Sequence, residues 1–192
     1  MEPTEGVHGG GEAQLLVRLE DIPEKGLELQ AVSGPELPLA YVAQEDLGYE
    51  LLEPVRSEFQ LLRRGVKVLV RGRVRTRQAL SCDRCLATIE QDVDRRVEVT
   101  FMPHPEVPEG AQIELSAQDL EVEFYGPDGL IDLGGVIIEE LALAIPYRLL
   151  CHEACKGLCP GCGADLNVEE CRCPARPLDP RLAKLQDLKI EH

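Results

Sequence analysis

The chain has 192 residues, enough for one ordinary domain or two small ones. Hydrophobic residues make up 44% of the chain, so it can bury a core. Aromatic residues are only 4% and tryptophan is absent, so that core must be aliphatic. For the same reason an aromatic platform for stacking bases is not expected. The formal net charge of -15 repels a phosphate backbone, so any contact with nucleic acid should be local or made through a protein partner.

The N-terminal residues are rich in glycine and glutamate. Residues 1–12 are predicted to be a disordered tail, and the absence of an apolar core there argues against a signal peptide. No apolar run approaches the ~20 residues of a membrane helix. We therefore expect a cytoplasmic protein without a membrane partner, and in that reducing compartment clustered cysteines indicate metal ligands before disulfides.

Residues 13–148 are predicted to form an antiparallel, β-rich domain with one main helix, which gives an α+β fold class that is mainly β. Pro35 and Pro38 interrupt the early part of this domain. Six stretches have the composition of strands: 15–17, 27–32, 54–62, 66–80, 86–101 and 122–125. The proline-rich residues 102–110 are predicted to form a loop.

The register of the hairpin formed by 66–80 and 86–101 follows from its two faces. Pairing positions whose numbers sum to 167 stacks apolar residues on one face and opposite charges on the other. The predicted pairs are Val74 with Val93, Val70 with Val97, Val68 with Val99, Val66 with Phe101, Arg77 with Glu90, Arg75 with Asp92 and Arg73 with Asp94. This register brings Cys82 and Cys85 together at the hairpin tip.

The basic stretch of this hairpin has two interpretations. Arg71, Arg73, Arg75 and Arg77 share one strand face. They could form a phosphate-binding stripe, or a charge ladder with the acids of the next strand and with Glu58 opposite Arg71. The predicted register favours the ladder, which still leaves Arg71 and Arg73 as tentative contacts for RNA or a partner.

The C-terminal third begins with a helix. Asp132 can cap a helix that runs to Ala144, and Pro146 ends it. Residues 149–175 are predicted to be a cysteine-rich zinc-knuckle module, and 176–192 a short final helix in which Asp179 is the cap. Within the cysteine-rich segments, Arg84, Lys156 and Arg172 are further tentative contacts for RNA or a partner.

The eight cysteines have the spacing of metal ligands. They form CxxC, CxxxC, CxxC and CxC pairs: Cys82, Cys85, Cys151, Cys155, Cys159, Cys162, Cys171 and Cys173. Eight thiolates are the ligand count of two closed four-cysteine sites, so two zinc ions per chain are expected. Four thiolates also suit an iron–sulfur cluster, and spacing does not decide between the two.

The predicted pairing makes one site local and the other distant. Cys159, Cys162, Cys171 and Cys173 would bind one ion, while Cys82 and Cys85 would join Cys151 and Cys155 on the other. Cys151 or Cys155 could exchange places with Cys171 or Cys173. His152 is an alternative ligand, although a solvated neutral histidine is the simpler interpretation.

A catalytic role has little support in the sequence. A closed four-cysteine site has no open position for a substrate. A redox CxxC belongs at the junction of a strand and a helix, whereas Cys82 and Cys85 are predicted on a hairpin. There is no serine in a nucleophile elbow and no Walker-type phosphate loop. We therefore expect neither enzymatic activity nor a small-molecule substrate.

Two strings of residues are similar to a known family. The first is Cys82-Asp83-Arg84-Cys85-Leu86 between two strands; the second, 155–167, reads CKGLCPGCGADLN and is followed by Cys171-Arg172-Cys173. The chain resembles the YceD family, the large ribosomal RNA subunit accumulation proteins, in its cysteine-rich form, over about residues 50–175. Some members of that family lack the C-terminal cysteine module, so the module cannot be its whole function.

The resemblance implies a non-enzymatic ribosome assembly factor that supports accumulation or processing of large-subunit (23S) ribosomal RNA. Its partners would be a ribosomal RNA precursor, a basic ribosomal protein, or both, and the acidic charge of the chain makes the protein the nearer one. The alternatives are a zinc-stabilised protein-interaction module outside the ribosome and a thiol redox protein.

Overall fold

The computed structural model describes residues 15–42, 48–104, 122–171 and 173. These parts form an α+β fold that is mostly strand, as predicted. In chain order they contain β1 (Leu16–Arg18), a 3-10 turn (Leu19–Asp21), β2 (Leu27–Ser33), α1 (Glu36–Leu39), β3 (Glu50–Leu51), β4 (Val55–Arg64), β5 (Lys67–Ser81), β6 (Thr88–Pro103), β7 (Val122–Tyr125), β8 (Leu130–Asp132) and α2 (Leu133–Leu143). None of the described helices is long and apolar enough to cross a bilayer.

A six-stranded sheet organises the fold. Its strand order is β2-β4-β5-β6-β7, and β3 pairs with β5 beside this path. The pairs along the path are antiparallel except β6 and β7, which run parallel. The terminal strands β1 and β8 form a separate two-stranded ribbon. The predicted strands are therefore present, but the parallel pair was not anticipated.

One face of the sheet is covered by α2. Alternate residues of β5 and β6 are buried, as expected for a sheet with one face toward a core. The buried core is aliphatic with few aromatic rings, as the composition predicts. Its members include Val68, Val70, Val74, Val93, Val97, Ile131, Leu133, Ile137 and Leu141.

The start of α2 is fixed by Asp132. Its carboxylate accepts a hydrogen bond from the backbone N–H of Gly135 at 3.0 Å, which confirms the predicted cap. The same carboxylate accepts a 2.6 Å bond from the Tyr41 hydroxyl. Burial of Tyr41, together with this bond, raises the pKa of its phenol. The cap therefore also ties α2 to the segment that follows α1.

Two local predictions were incomplete. The prolines at 35 and 38 were expected only to interrupt the chain, but Pro35 is the N-cap of the one-turn helix α1, and Pro38 lies within it. Proline is tolerated there because the first turn of a helix needs no N–H donor.

The predicted tail 1–12 and final helix 176–192 lie outside the described residues, and the domain boundary at 149 remains a prediction.

The predicted register of β5 and β6 was wrong by two residues. Val68 faces Phe101, Val70 faces Val99, and Ser81 faces Thr88. The shift leaves the six residues 82–87 as the connecting loop, whereas a sum of 167, with β5 ending at Ser81, would leave only the four residues 82–85 for the knuckle. A shift of two keeps the side chains within both strands on their predicted faces, but Val66 precedes β5 and is exposed instead of packing on Phe101.

The charge ladder survives this shift with altered partners. Arg77 contacts Asp92 at 2.9 Å and Glu90 at 3.8 Å. Arg73 faces Arg96 across the strands and reaches diagonally to Asp94. Other contacts join Arg71 to Glu98 at 3.0 Å, and Arg75 to Asp94 at 3.8 Å and to Glu58 at 3.9 Å. Glu58 was expected opposite Arg71 but faces Arg73, because β4 is offset by the same two residues.

Candidate metal centres

The tip of the β5–β6 hairpin forms a knuckle around two buried thiols. Cys82 is fully buried and Cys85 nearly so. The backbone N–H of Leu86 donates to the Cys82 carbonyl at 3.0 Å, and the N–H of Cys82 donates to the Ala87 carbonyl at 2.9 Å. Leu86 has a φ of 60°, a left-handed conformation that ordinary side chains rarely adopt. The loop is thus bent so that both sulfurs face inward.

The chain after α2 returns to this tip and is held there by backbone hydrogen bonds. The N–H of Asp83 donates to the Leu149 carbonyl at 2.9 Å, and the N–H of Leu149 donates to the Asp83 carboxylate at 2.6 Å. Arg84 donates from Nη1 to the Cys155 carbonyl at 2.6 Å, while its own carbonyl accepts from the N–H of Leu158 at 3.0 Å. Asp83 and Arg84 therefore position the second half of the site.

Gly157 allows the closest approach between the two segments. Its φ is +76°, and a Cβ at this position would lie 2.9 Å from the Arg84 carbonyl oxygen. Any other residue would meet both the strain of a left-handed conformation and a backbone clash. The glycine of the CKGLC string is therefore required by the contact with the hairpin.

The first group of four sulfurs spans the two segments. The sulfurs of Cys82, Cys85, Cys151 and Cys155 all lie within 4.8 Å of one another. Cys82 Sγ is 3.8 Å from Cys155 Sγ, and Cys85 Sγ is 3.6 Å from Cys151 Sγ. These spacings match the edges of a tetrahedron of thiolates around one ion. This group could hold a metal ion, and its membership is the one predicted from the sequence.

The second group of four sulfurs is local. Cys159, Cys162, Cys171 and Cys173 also place their sulfurs within 4.8 Å of one another. The N–H of Gly161 points at Cys159 Sγ at 3.4 Å. A Cβ on Gly161 would lie 3.1 Å from Cys173 Sγ, so the small residue leaves room for the fourth sulfur. This group too could hold a metal ion.

The electrostatics of both groups favour a bound cation. The N–H of Cys85 donates to Cys82 and lowers the pKa of that thiol to about 6. A hydrogen bond from Cys171, with help from backbone N–H groups, lowers the pKa of Cys159 to about 6. Desolvation raises the pKa of Cys151 to about 12, and the neighbouring Cys162 helps to raise that of Cys173 to about 12. One thiolate forms readily in each group, and its negative charge opposes ionisation of the next thiol. A positive ion is therefore needed to hold four thiolates together.

The donor set fits a structural metal. Four thiolates suit zinc, and they suit an iron–sulfur cluster as well. Either would be closed by protein ligands, which would stabilise the fold without an open position for chemistry. His152 was considered as an alternative ligand, and its Nδ1 lies 3.1 Å from Cys151 Sγ. The four sulfurs already form a group without His152, so this histidine lies beside the site.

Asn167 is a part of the site that the sequence analysis missed. Its side-chain N–H₂ donates to Cys155 Sγ at 3.5 Å, and its Oδ1 accepts from the N–H of Lys156 at 2.8 Å. Asp165 orients this amide through a 2.7 Å bond. Amide donors to a metal-bound sulfur tune its charge. Asn167 is the last residue of the string CKGLCPGCGADLN, from which only the cysteines were predicted to belong to the site.

The tentative RNA or partner contacts that the structure describes have different surroundings. Arg71 and Arg73 lie in the charge ladder on β5, each with a carboxylate partner. Arg84 is committed to the Cys155 carbonyl. Lys156 is exposed beside the first sulfur group. Arg172 lies outside the described residues.

Curated relatives align with most of the chain. A protein of Mycobacterium leprae (strain TN), named as uncharacterized, is 30% identical over 153 residues, which covers 78% of this chain and 66% of that protein. An uncharacterized protein of Mycobacterium tuberculosis (strain ATCC 25618 / H37Rv) is 33% identical over 121 residues, with coverages of 63% and 55%. The chain thus spans less than two thirds of the length of these relatives. No solved structure matches the chain.

A plant relative carries a functional name. The "Large ribosomal RNA subunit accumulation protein YCED homolog 1, chloroplastic" of Arabidopsis thaliana is 27% identical over 157 residues, covering 71% of this chain and 49% of that protein. A family profile described as "Large ribosomal RNA subunit accumulation protein YceD" matches residues 70–189. The match starts later than the resemblance predicted and continues beyond residue 175, where the resemblance ended. With the larger part of its length matched, the chain belongs to the YceD family.

Proposed function

We propose that this chain is a non-enzymatic ribosome assembly factor that supports accumulation or processing of large-subunit ribosomal RNA in the cytoplasm. The observation that carries the proposal is the family match over residues 70–189, together with the plant relatives named for ribosomal RNA accumulation. The two sulfur groups supply the stabilising part of the proposal, with one zinc ion in each.

Zinc is the proposed metal of both sites. It accepts four thiolates in a closed tetrahedron, as each sulfur group offers. An iron–sulfur cluster has the same ligands but would colour the protein brown. Metal analysis of anaerobically purified protein tests this point. Two zinc ions per chain would support the proposal, whereas iron with sulfide would identify the bound group as an iron–sulfur cluster.

The partner is proposed to be a basic ribosomal protein, with RNA contacted locally. The net charge of -15 opposes a broad RNA interface, and the ladder of β5 and β6 neutralises much of the basic stripe. Exposed Lys156 is then the cleaner candidate for a local RNA contact, because Arg84 is already bound to the Cys155 carbonyl.

The test is purification of the tagged protein from lysate, with and without RNase. Large-subunit precursors and their proteins should co-purify, and RNase should release the precursors while retaining any protein bound directly. The proposal would be overturned if neither the large-subunit precursors nor their proteins were recovered, with or without RNase. Lys156→Glu should weaken RNA recovery, whereas Lys67→Glu, an exposed lysine at the opposite end of β5, serves as the matched control.

The charge also supports a second candidate, a protein-interaction module that acts outside the ribosome. The same purification separates the two candidates. A basic protein recovered without any large-subunit precursor, and no sedimentation with those precursors at low salt, would favour this second function.

A further inference from the structure

A groove runs between α2 and the β6–β7 edge of the main sheet, away from both sulfur groups. Its volume is about 560 Å³. It opens where β7 begins, because β7 pairs with β6 only from Thr100 onward. The part of β6 before this point has no β7 neighbour in the described chain. Five apolar and four acidic residues line it: Val97, Val99, Val122, Val136 and Leu143 with Glu98, Glu123, Glu139 and Glu140.

The apolar part of the groove is not fully covered. Val97 and Val136 are buried at its floor, and Val99 and Val122 are half-buried. Leu143, in the last turn of α2, is 68% exposed. An exposed leucine beside half-buried valines leaves apolar area that a partner could remove from water.

Two of the four acids have no cation partner among the described residues. Glu98 is paired with Arg71 at 3.0 Å, and Glu140 with Arg95 at 2.9 Å. Within the described residues, neither Glu123 nor Glu139 forms an ion pair. Burial, followed by repulsion from Glu123 and Glu140, raises the pKa of Glu139. The groove therefore carries uncompensated negative charge next to apolar surface.

We propose that this groove binds a basic segment of another protein, which places apolar side chains on the valine floor and Leu143, and lysine or arginine side chains between Glu123 and Glu139. Charge complementarity selects this occupant. RNA would be repelled by the same two carboxylates.

Two segments of the same chain are poorer candidates for the groove. Residues 105–121 contain no lysine or arginine, so they would add negative charge to it. Residues 174–192 contain Arg176, Arg181, Lys184 and Lys189, but Asp179, Asp187 and Glu191 nearly cancel them. A partner segment with more basic than acidic residues by a wider margin than the +1 of residues 174–192 would satisfy the two acids better than either.

The test uses the full-length, metal-loaded protein and a short fluorescent amphipathic peptide of leucine and lysine, because amphipathic segments place their apolar face in hydrophobic grooves. A second peptide with every leucine replaced by serine separates apolar docking from charge alone. Anisotropy should show binding of the first peptide, weakened about tenfold by Glu123→Lys/Glu139→Lys and severalfold by Leu143→Ser. Controls are Glu28→Lys and Val32→Ser, exposed residues on β2, which should leave the affinity unchanged.

Three outcomes would overturn the proposal. The first is equal binding of the serine and leucine peptides, which would mean diffuse attraction by an acidic protein. The second is an equal effect of the groove variants and the β2 controls. The third is tighter peptide binding after Leu182→Asp/Leu185→Asp, which would mean that the C-terminal segment already occupies the groove. The inference does not depend on the ribosomal role, because each readout uses the purified protein alone.

Discussion

The sulfur atoms of Cys82 and Cys155 lie 3.8 Å apart although 73 residues separate them in the chain. Cys82 belongs to the β5–β6 hairpin, and Cys155 to the segment after α2. They pack in a small buried cluster with Cys85, distinct from the aliphatic core under the sheet. The contact between the hairpin and the C-terminal segment therefore lies in this sulfur cluster and its hydrogen bonds, outside the aliphatic core.

Metal removal should separate these two parts. We expect a chelator to expose the backbone amides of residues 151–171, because structural zinc contributes about 10–16 kcal/mol to small modules. The amides of Val68, Val70 and Ile137 should stay protected, since the aliphatic core does not include the thiols. Hydrogen exchange measured by mass spectrometry checks both. Exchange of the core amides at the same rate as residues 151–171 would show a single cooperative unit instead.

Single cysteine variants should distinguish the two sites. Cys155→Ser and Cys162→Ser should each reduce the metal content from two ions to one, measured by native mass spectrometry. Only Cys155→Ser should also increase exchange at the hairpin tip, because Cys155 is buried against Cys82 whereas Cys162 is exposed and local. Equal exchange at the tip in both variants would contradict the assignment of Cys155 to the linking site.

Gly157→Ala should weaken the docking of the C-terminal segment on the hairpin. The added methyl group would lie 2.9 Å from the Arg84 carbonyl oxygen. Gly163→Ala is the matched control, because Gly163 has a similar φ of +78° with nothing within 4 Å. Both variants carry about 1 kcal/mol of left-handed strain, and Gly157→Ala should lose a further 1–3 kcal/mol, roughly, from overpacking. Faster metal loss to a chelator measures the difference, and identical rates would count against it.

The cap of α2 offers a test that is independent of metal. Asp132→Ala should lower the free energy of unfolding by about 1 kcal/mol, the usual value of an N-cap. Tyr41→Phe removes only the hydroxyl that donates to the same carboxylate, and it leaves the cap bond to Gly135 intact. Urea unfolding of both variants should rank Asp132→Ala as the more damaging. Equal losses would mean that the Tyr41 bond, which both variants remove, accounts for the whole effect and that the cap adds nothing.

The sequence was most informative where local chemistry dictates structure. Spacing and compartment predicted the grouping of the cysteines, and alternation predicted the faces of β5 and β6. The register failed because two registers that differ by two residues place Val70 and Arg73 on the same faces, and only the size of the knuckle loop chooses between them. The parallel pairing of β7 could not be predicted, since its four residues carry no signal for direction.

The site around the sulfurs was predicted in its ligands but not in its supports. Asn167 and Asp83 act through hydrogen bonds to groups that are distant in sequence or reached by a turn. No periodicity marks such a residue. Arg84 was predicted from its charge to contact RNA. In the fold its guanidinium instead donates a hydrogen bond to the Cys155 carbonyl.

The distant pairing of the first sulfur group has a consequence for the order of events during synthesis. Cys151 is made 66 residues after Cys85, which at cellular speeds of about 5–20 residues per second is a delay of roughly 3–13 seconds. During that interval the hairpin tip has only half of its ligands, and its two thiols are open to oxidants and to other metals. The second group, by contrast, completes within 14 residues from Cys159 to Cys173. Filling of the first site thus reports that the chain has been made at least as far as Cys155.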